Sequence, residues 1–261
     1  MRIKSEEKLL RDFLLVAPLS HALWRSVEAL SFNKIDLKEP VLDVGCGFGE
    51  FAGVLYGKLE CGVDINKKDL KVAISGKKYK NVIYADARKL PFGKNKFASV
   101  ISVSVMEHID GADKVIMEVG RILNKKGLFV FSVPTPLLYE NLWFPKLCKH
   151  FHINPVGEYY KNLHKKAFQH ITIKDDKWWE EKLKKAGFKV LLKEGTISPG
   201  LIRLHETFLL TALPSQLWRW LFGKRLIIFP WRAKVLTPYF KRFVKSDTKS
   251  LANIFIVAQK V

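Results

Sequence analysis

The apolar run Val41-Leu42-Asp43-Val44 stops in Gly45-Cys46-Gly47-Phe48-Gly49, and a helical pattern, Glu50 to Tyr56, follows at once. A buried strand that ends in a glycine-rich turn and opens a helix is the first unit of an open α/β sheet. Such a turn lets a ligand approach the backbone closely and offers the unpaired N–H groups of the helix start. Taken alone, the turn suits several nucleotide-like ligands.

The pattern continues along the chain. Strand-like runs at Glu60–Asp64, Asn81–Tyr84, Phe97–Val103 and Gly127–Val133 alternate with helical segments at Lys67–Ser75 and Asp113–Leu123. Lys177–Ala186 reads as a helix stopped by Gly187, Phe188–Lys193 as a strand, and Leu251–Gln259 as a closing strand. This alternation predicts a doubly wound, Rossmann-like α/β sheet. Ahead of it, Ser5 to Phe32 has helical spacing broken by Pro18, which predicts an N-terminal helical segment over residues 1–37. The domain expected over 38–261 is interrupted by two irregular stretches, at about 134–176 and 196–248.

Charge and spacing discriminate between ligands at the glycine turn. The dinucleotide fingerprint G-x-G-x-x-G/A fails, because Glu50 stands at the third position and Gly49 comes one residue early. Asp43 and Glu50 would repel a pyrophosphate, whereas a sulfonium and an ammonium would be attracted. No Gly-Lys-Ser/Thr follows, which excludes a Walker-type phosphate loop. Asp64 ends the second strand, 64 − 45 = 19 residues after the first glycine, where a carboxylate can accept from both ribose hydroxyls. Asp86 ends the third strand and can accept from an adenine amino group. Each acid alone could be a helix or turn cap. Three acids at successive strand ends favour S-adenosylmethionine (SAM).

Pro40 to Gly49 resembles motif I of class I SAM-dependent methyltransferases, and Ala85-Asp86-Ala87 with Leu90-Pro91-Phe92 resembles their adenine-side segment. Ser104-Val105-Met106-Glu107-His108-Ile109 is similar to the signature after strand 4 in the branch that includes ubiquinone and menaquinone methyltransferases. Gly120 to Leu128 resembles the turn where that family often has Lys-Pro-Gly-Gly, with Lys126 in place of the first glycine. The resemblance implies a seven-stranded sheet with its last strand antiparallel, and SAM as cofactor. It implies cofactor contacts at Asp43, Gly45, Cys46, Gly47, Phe48, Asp64, Ile65, Asp86, Ala87, Ser102, Val103 and Met106.

Methyl transfer from a sulfonium is an in-line displacement, so alignment supplies most of the catalysis. An acidic acceptor also needs a base. His108 is the candidate, with Glu107 beside it, although both could instead shape the cofactor pocket. In the first insertion His150, His152, Tyr159, Tyr160 and His164 are candidates for the acceptor pocket. No carboxylate or cysteine is spaced as a partner for these histidines, so no metal is expected.

The acceptor is less legible. The chain has 45 Lys and Arg against 25 Asp and Glu, a net charge of +20, which points to an anionic partner. Residues 215–245 contain no Asp or Glu. There Trp218, Trp220, Leu221, Phe222, Leu226, Ile227, Ile228, Phe229 and Trp231 are interleaved with Arg219, Lys224, Arg225, Arg232, Lys234, Arg242 and Lys245. Tryptophan, aliphatics and cations together match an interfacial membrane element, broken by Pro230 and Pro238 into short helices. Base stacking on RNA is the rival reading, and a lid or an oligomer interface the third. The Asp/Asn-Pro-Pro-Tyr/Phe motif of amino-methylating nucleic-acid enzymes is absent after the fourth strand, where Ser102-Val103-Ser104-Val105 stands. A lipid, prenyl-linked or other hydrophobic acceptor at a membrane surface is therefore expected, with a nucleic acid as the alternative. Three unpaired-looking cysteines, no signal-peptide pattern and no bilayer-length apolar window lead to an expected cytoplasmic protein peripheral to the membrane.

Overall fold

The computed structural model describes residues 3–222 and 229–261. Lys224, Arg225, Leu226, Ile227 and Ile228 lie outside the described residues, as do the side chains of Arg219 and Trp220. Two helices begin the chain. Helix α1 (Glu6–Leu14) starts at Ser5, whose side chain accepts from the Lys8 amide, and its first turn carries Glu6 and Glu7 against the positive helix end. Pro18 precedes α2 (Leu19–Phe32), so the break falls where proline predicts it.

The sheet follows: β1 (Val41–Val44), α3 (Glu50–Leu55), β2 (Leu59–Asp64), α4 (Lys67–Ser75), β3 (Tyr79–Tyr84) and β4 (Phe97–Val103). After a 3₁₀ turn at Met106–His108 come α5 (Ala112–Ile122) and β5 (Leu123–Pro134). The first insertion, irregular by sequence, contains three helices, α6 (Leu137–Asn141), α7 (Trp143–His150) and α8 (Asn154–Ala167). Then α9 (Asp176–Lys185) and β6 (Phe188–Gly195) return to the sheet. The second insertion corrects the expectation of short helices. It carries the 24-residue α10 (Pro199–Phe222), which runs through Pro214, and then α11 (Arg232–Phe240), which runs through Pro238. Strand β7 (Asn253–Lys260) closes the chain.

The seven strands are ordered β3-β2-β1-β4-β5-β7-β6, and β7 runs antiparallel to both neighbours. This is the expected doubly wound sheet. Side-chain alternation divides it into two cores. Val41, Ile101, Val103, Val130 and Phe255 face one core with α1, α2 and α10. Leu42, Val44, Val100, Phe129, Phe131 and Ile256 face the other with α5 and α9. Phe32 of α2 meets Phe255 of β7 edge-on at 4.9 Å, so the N-terminal helices are built into the first core.

The strand order reverses between β1 and β4, which opens a crevice beyond their C-terminal ends. Glu28 ties the adjoining layer together. Its carboxylate, fully buried on α2, accepts from Ser104 Oγ at 2.7 Å, Ser132 Oγ at 2.8 Å and Arg25 Nη1 at 2.8 Å. A buried carboxylate needs such partners to persist.

Candidate active site

The glycine turn sits at the open end of β1 and its glycines do different work. Gly45, Gly47 and Gly49 all have positive φ, which L side chains rarely adopt. A Cβ on Gly45 would overlap the Val105 side chain, so this glycine lets the segment after β4 pack against the turn. A Cβ on Gly47 would meet nothing within 4 Å, which leaves an open cradle above the turn. Beneath it lies Tyr79, a residue the sequence reading missed because the third strand was expected to start at Asn81. Its ring would be 2.8 Å from a Cβ on Gly49 and 3.1 Å from one on Gly62, and its hydroxyl donates to Asp43 Oδ2 at 2.7 Å. Burial pushes the Asp43 carboxyl up to about 7, against the downward pull of the Tyr79 hydrogen bond. Cys46 is buried against Gly62, and burial holds its thiol well above the ordinary range. Phe48 is half-buried at the end of the turn.

Asp64, at the end of β2, links its own loop to the turn. Oδ2 accepts from the Gly47 amide at 2.8 Å, and Oδ1 accepts from the Asn66 amide at 2.8 Å. Beside it Ile65 is 60% exposed, an apolar side chain left at the crevice edge. Asp86 is engaged by Arg88, whose Nε and Nη2 donate at 3.0 and 2.7 Å, and this pairing holds its carboxyl below the ordinary value. Ala87 is half-buried beside it. Ser102 donates to the Val44 carbonyl at 3.1 Å and joins β4 to β1. The Val103 carbonyl accepts from Arg25 Nη1 at 3.3 Å. Met106 is fully buried in the second core and presents no surface to the crevice.

The turn after β4 leads from Val105 to Glu107 and His108, which line a cavity of about 120 Å³. Its walls come from four parts of the chain and bring five histidines together: His21, His108, His164, His170 and His205. Trp24, Pro134, Leu138, Leu142, Phe168 and Ile202 supply apolar wall, and Arg25 and Ser104 supply polar groups. Burial dominates the chemistry. It lowers His164 and His205 to about 4 and His170 to about 3, and it also lowers His108, so these imidazoles are neutral at pH 7. It pushes Glu107 up to about 8, which leaves that group protonated at pH 7.

Of the residues expected in the acceptor pocket, only His164 lines it. His150, His152 and Tyr159 are exposed, Tyr159 by 71%, and are not among its lining residues; the His150 ring lies 5.2 Å from Phe151. Tyr160 sits one layer out, with its ring 4.9 Å from Phe144 and 6.2 Å from His164. Three pocket histidines were missed, His21, His170 and His205. For α2 a signal was present: His21, Trp24, Arg25 and Glu28 recur at i, i+3, i+4 and i+7, a polar and aromatic stripe on a helix whose other faces are apolar.

The fit to SAM can be judged from the crevice around the glycine turn. An open cradle over Gly47, a carboxylate bonded to that glycine's amide, an exposed isoleucine beside it and a further buried acid suit a cationic ligand that bears a diol and an aromatic base. Residues 42–131 match the protein family described as a methyltransferase domain. Over these residues the chain carries a methyltransferase domain. An uncharacterized protein of Methanocaldococcus jannaschii is 34% identical over 170 residues, which span 60% of this chain and 64% of that protein. The sterol 4-C-methyltransferase strm-1 of Caenorhabditis elegans is 30% identical over 113 residues, 38% of this chain and 32% of that protein. The chain thus spans less than two thirds of either relative. A solved SAM-dependent methyltransferase from Thermotoga maritima shares the methyltransferase domain's fold, with a TM-score of 0.60 over 93% of this chain and 92% of that one at 16% identity.

Proposed function

We propose that this chain transfers a methyl group from SAM to a hydrophobic, membrane-derived acceptor bound in the histidine-lined pocket. The observation that carries the reading is the coupling of the glycine turn to the histidine pocket. Val105 fills the space that Gly45 leaves, and the two residues after Met106 are pocket walls. Cofactor turn and acceptor pocket are therefore held by one short segment, the arrangement that in-line transfer needs.

When bound, SAM supplies an electrophilic methyl group on its sulfonium. The rest is done by the chain. Gly47, Asp64, Ile65 and Asp86 would hold the nucleoside end and Asp43 the cationic end. The apolar wall of Trp24, Leu138, Leu142, Phe168 and Ile202 excludes water and takes up a greasy acceptor. His108 Nδ1 lies 3.2 Å from the Gln169 carbonyl, which can only accept, so the proton sits on Nδ1 and Nε2 keeps its lone pair. That nitrogen can receive a proton from an acceptor hydroxyl as the methyl group arrives.

The membrane part rests on the second insertion. The C-terminal turns of α10 leave Leu217, Trp218, Leu221 and Phe222 exposed, and Phe229 and Trp231 are exposed beyond them. Soluble proteins rarely leave such a patch open to water. Exposed Lys234, Arg242 and Lys245 add the positive charge that anionic lipid attracts. Arg232 does not belong to that set, because its guanidinium donates to the carbonyls of Leu14 and Ala17 at 3.0 and 2.6 Å. Among the described residues no helix is long and apolar enough to cross a membrane, so the element would lie on the surface.

The test is transfer of labelled methyl from SAM to total lipid and to total RNA presented separately. Label in the organic-soluble fraction is expected. Label confined to RNA, lost steeply with added salt, would replace the lipid reading with the nucleic-acid one.

A further inference from the structure

We propose that Glu107, His108 and His170 bind a divalent transition-metal ion in the wall of the acceptor pocket. One ligand atom from each lies within 4.8 Å of the others. The three come from distant segments: Glu107 and His108 from the turn after β4, His170 from the stretch after α8. No local spacing announces the set, which is why no metal was expected from the sequence.

The segments are fastened to each other. The Ile171 and Thr172 amides both donate to the Glu107 carbonyl, at 2.8 and 2.9 Å, and Thr172 Oγ1 donates to the Ile109 carbonyl at 2.7 Å. The site is therefore preformed on its backbone.

Ring orientation supports metal binding. Metal-bound imidazoles almost always engage an outer partner through the second nitrogen. Both histidines show this. His108 Nδ1 pairs with the Gln169 carbonyl, which turns Nε2 toward Glu107 Oε1 at 3.8 Å. His170 Nδ1 pairs with the Tyr139 hydroxyl at 2.6 Å, which leaves Nε2 as its ligand atom.

A separate observation points to a missing ligand. Glu107 is only 1% exposed, and its Oε2 has no hydrogen-bond partner. Buried carboxylate oxygens are almost always satisfied, and this one has no partner within the protein. A cation held with His108 and His170 would be one.

The donor set selects the ion. Two imidazoles with one carboxylate suit zinc or ferrous iron, whereas magnesium and calcium take oxygen ligands. Ligand atoms around tetrahedral zinc lie roughly 3.3 Å apart, given bonds of about 2.0 Å, so the set, 3.8 Å apart at His108 and Glu107 and within 4.8 Å overall, must draw inward by side-chain movement to hold the ion. Three protein ligands leave coordination positions open toward the pocket. This deepens the functional reading and rests on it: an acceptor hydroxyl or carbonyl oxygen could occupy an open position and be polarised there, with His108 then a ligand and not a base.

Zinc is the probe. The full chain, stripped with chelator and free of SAM, is titrated with Zn²⁺ in competition with a chromophoric chelator. One tight Zn²⁺ per chain is expected. His170→Ala and Glu107→Gln should each weaken it at least 30-fold. Tyr139→Phe, which keeps the ring and removes only the outer partner, should weaken it about tenfold. Cobalt in place of zinc should give visible ligand-field bands that His108→Ala abolishes, without the near-ultraviolet thiolate band that capture by Cys46, Cys61 or Cys148 would produce. Thermal midpoint and SAM affinity, read on every variant, show that each is folded. Absence of stoichiometric zinc, or affinity unchanged in both His170→Ala and Tyr139→Phe, overturns the site. Zinc absent with SAM still bound defeats only the metal, and zinc bound with no SAM affinity defeats only the methyltransferase reading.

Discussion

The Tyr79 hydroxyl donates a 2.7 Å hydrogen bond to Asp43, beneath the glycine turn. The bond pulls a buried carboxyl down toward ionisation, against a desolvation that has already raised it to about 7. Tyr79→Phe removes that pull and leaves a buried acceptor atom unpaired. Asp43 should then titrate higher still. SAM affinity measured by calorimetry should weaken most near neutral pH and recover toward pH 9 as Asp43 ionises, while stability falls by about 1–3 kcal/mol. Equal weakening at every pH would mean that Tyr79 acts only through packing.

The two glycines of the turn should separate on substitution. Gly45→Ala forces a Cβ into Val105, so it should move the segment that carries Glu107 and His108 and lower the thermal midpoint markedly. Gly47→Ala meets no atom in the protein and carries only the strain of a positive φ, of order 1 kcal/mol. Its Cβ would instead occupy the cradle. Gly47→Ala should therefore fold normally and bind SAM at least tenfold more weakly, like Asp64→Ala. Calorimetry beside thermal denaturation checks both, and normal SAM affinity in Gly47→Ala would remove this glycine from the cofactor site.

The sheet could be read from the sequence because its signals are local. Val41-Leu42-Asp43-Val44 and the later runs are short, apolar and bounded by turns, and each of the first three strand ends carries its own acid. The helical lining of the pocket was only partly legible. α10 scatters polar and apolar residues around its circumference, so no period marks a buried face, and Pro214 inside it reads as a break. His150 and His152 have the same chemistry as His164, but His150 ends α7 and His152 stands in the turn before α8, while His164 lies within α8. His205 joins the pocket through long-range packing against Trp24, 5.1 Å away, a contact between α2 and α10 that no window of sequence contains.

His205 gives the clearest pH dependence. Burial holds it at about 4 in the folded chain, against 6.5 when unfolded. The depressed value means that its contribution to stability is fully present above pH 6.5 and is lost as pH falls through 4. The loss is on the order of 3 kcal/mol across that window. Other groups titrate there too, so the comparison is between the wild type and His205→Gln, both in chelator. The variant's stability should fall less steeply from pH 6.5 to 4, by about one proton. Parallel curves would mean that His205 protonates freely in the folded pocket.

Trp218 and Trp231 test the membrane reading without touching the site. Trp218 is tilted against Phe222 with ring centroids 4.2 Å apart, and Trp231 is 64% exposed beside Phe229. Neither lines the acceptor cavity. Replacing both with serine should abolish flotation with anionic liposomes at physiological salt, because the apolar contribution to interfacial binding is lost while exposed Lys234, Arg242 and Lys245 remain. SAM affinity should be unchanged, and transfer to a short-chain, water-soluble acceptor should proceed where transfer to a membrane-embedded one fails. A fall in SAM affinity and thermal midpoint together would show instead that these tryptophans pack a lid. Unchanged flotation would leave the basic surface alone responsible for any lipid binding, and the aromatic patch would then have to be assigned to contact with another chain.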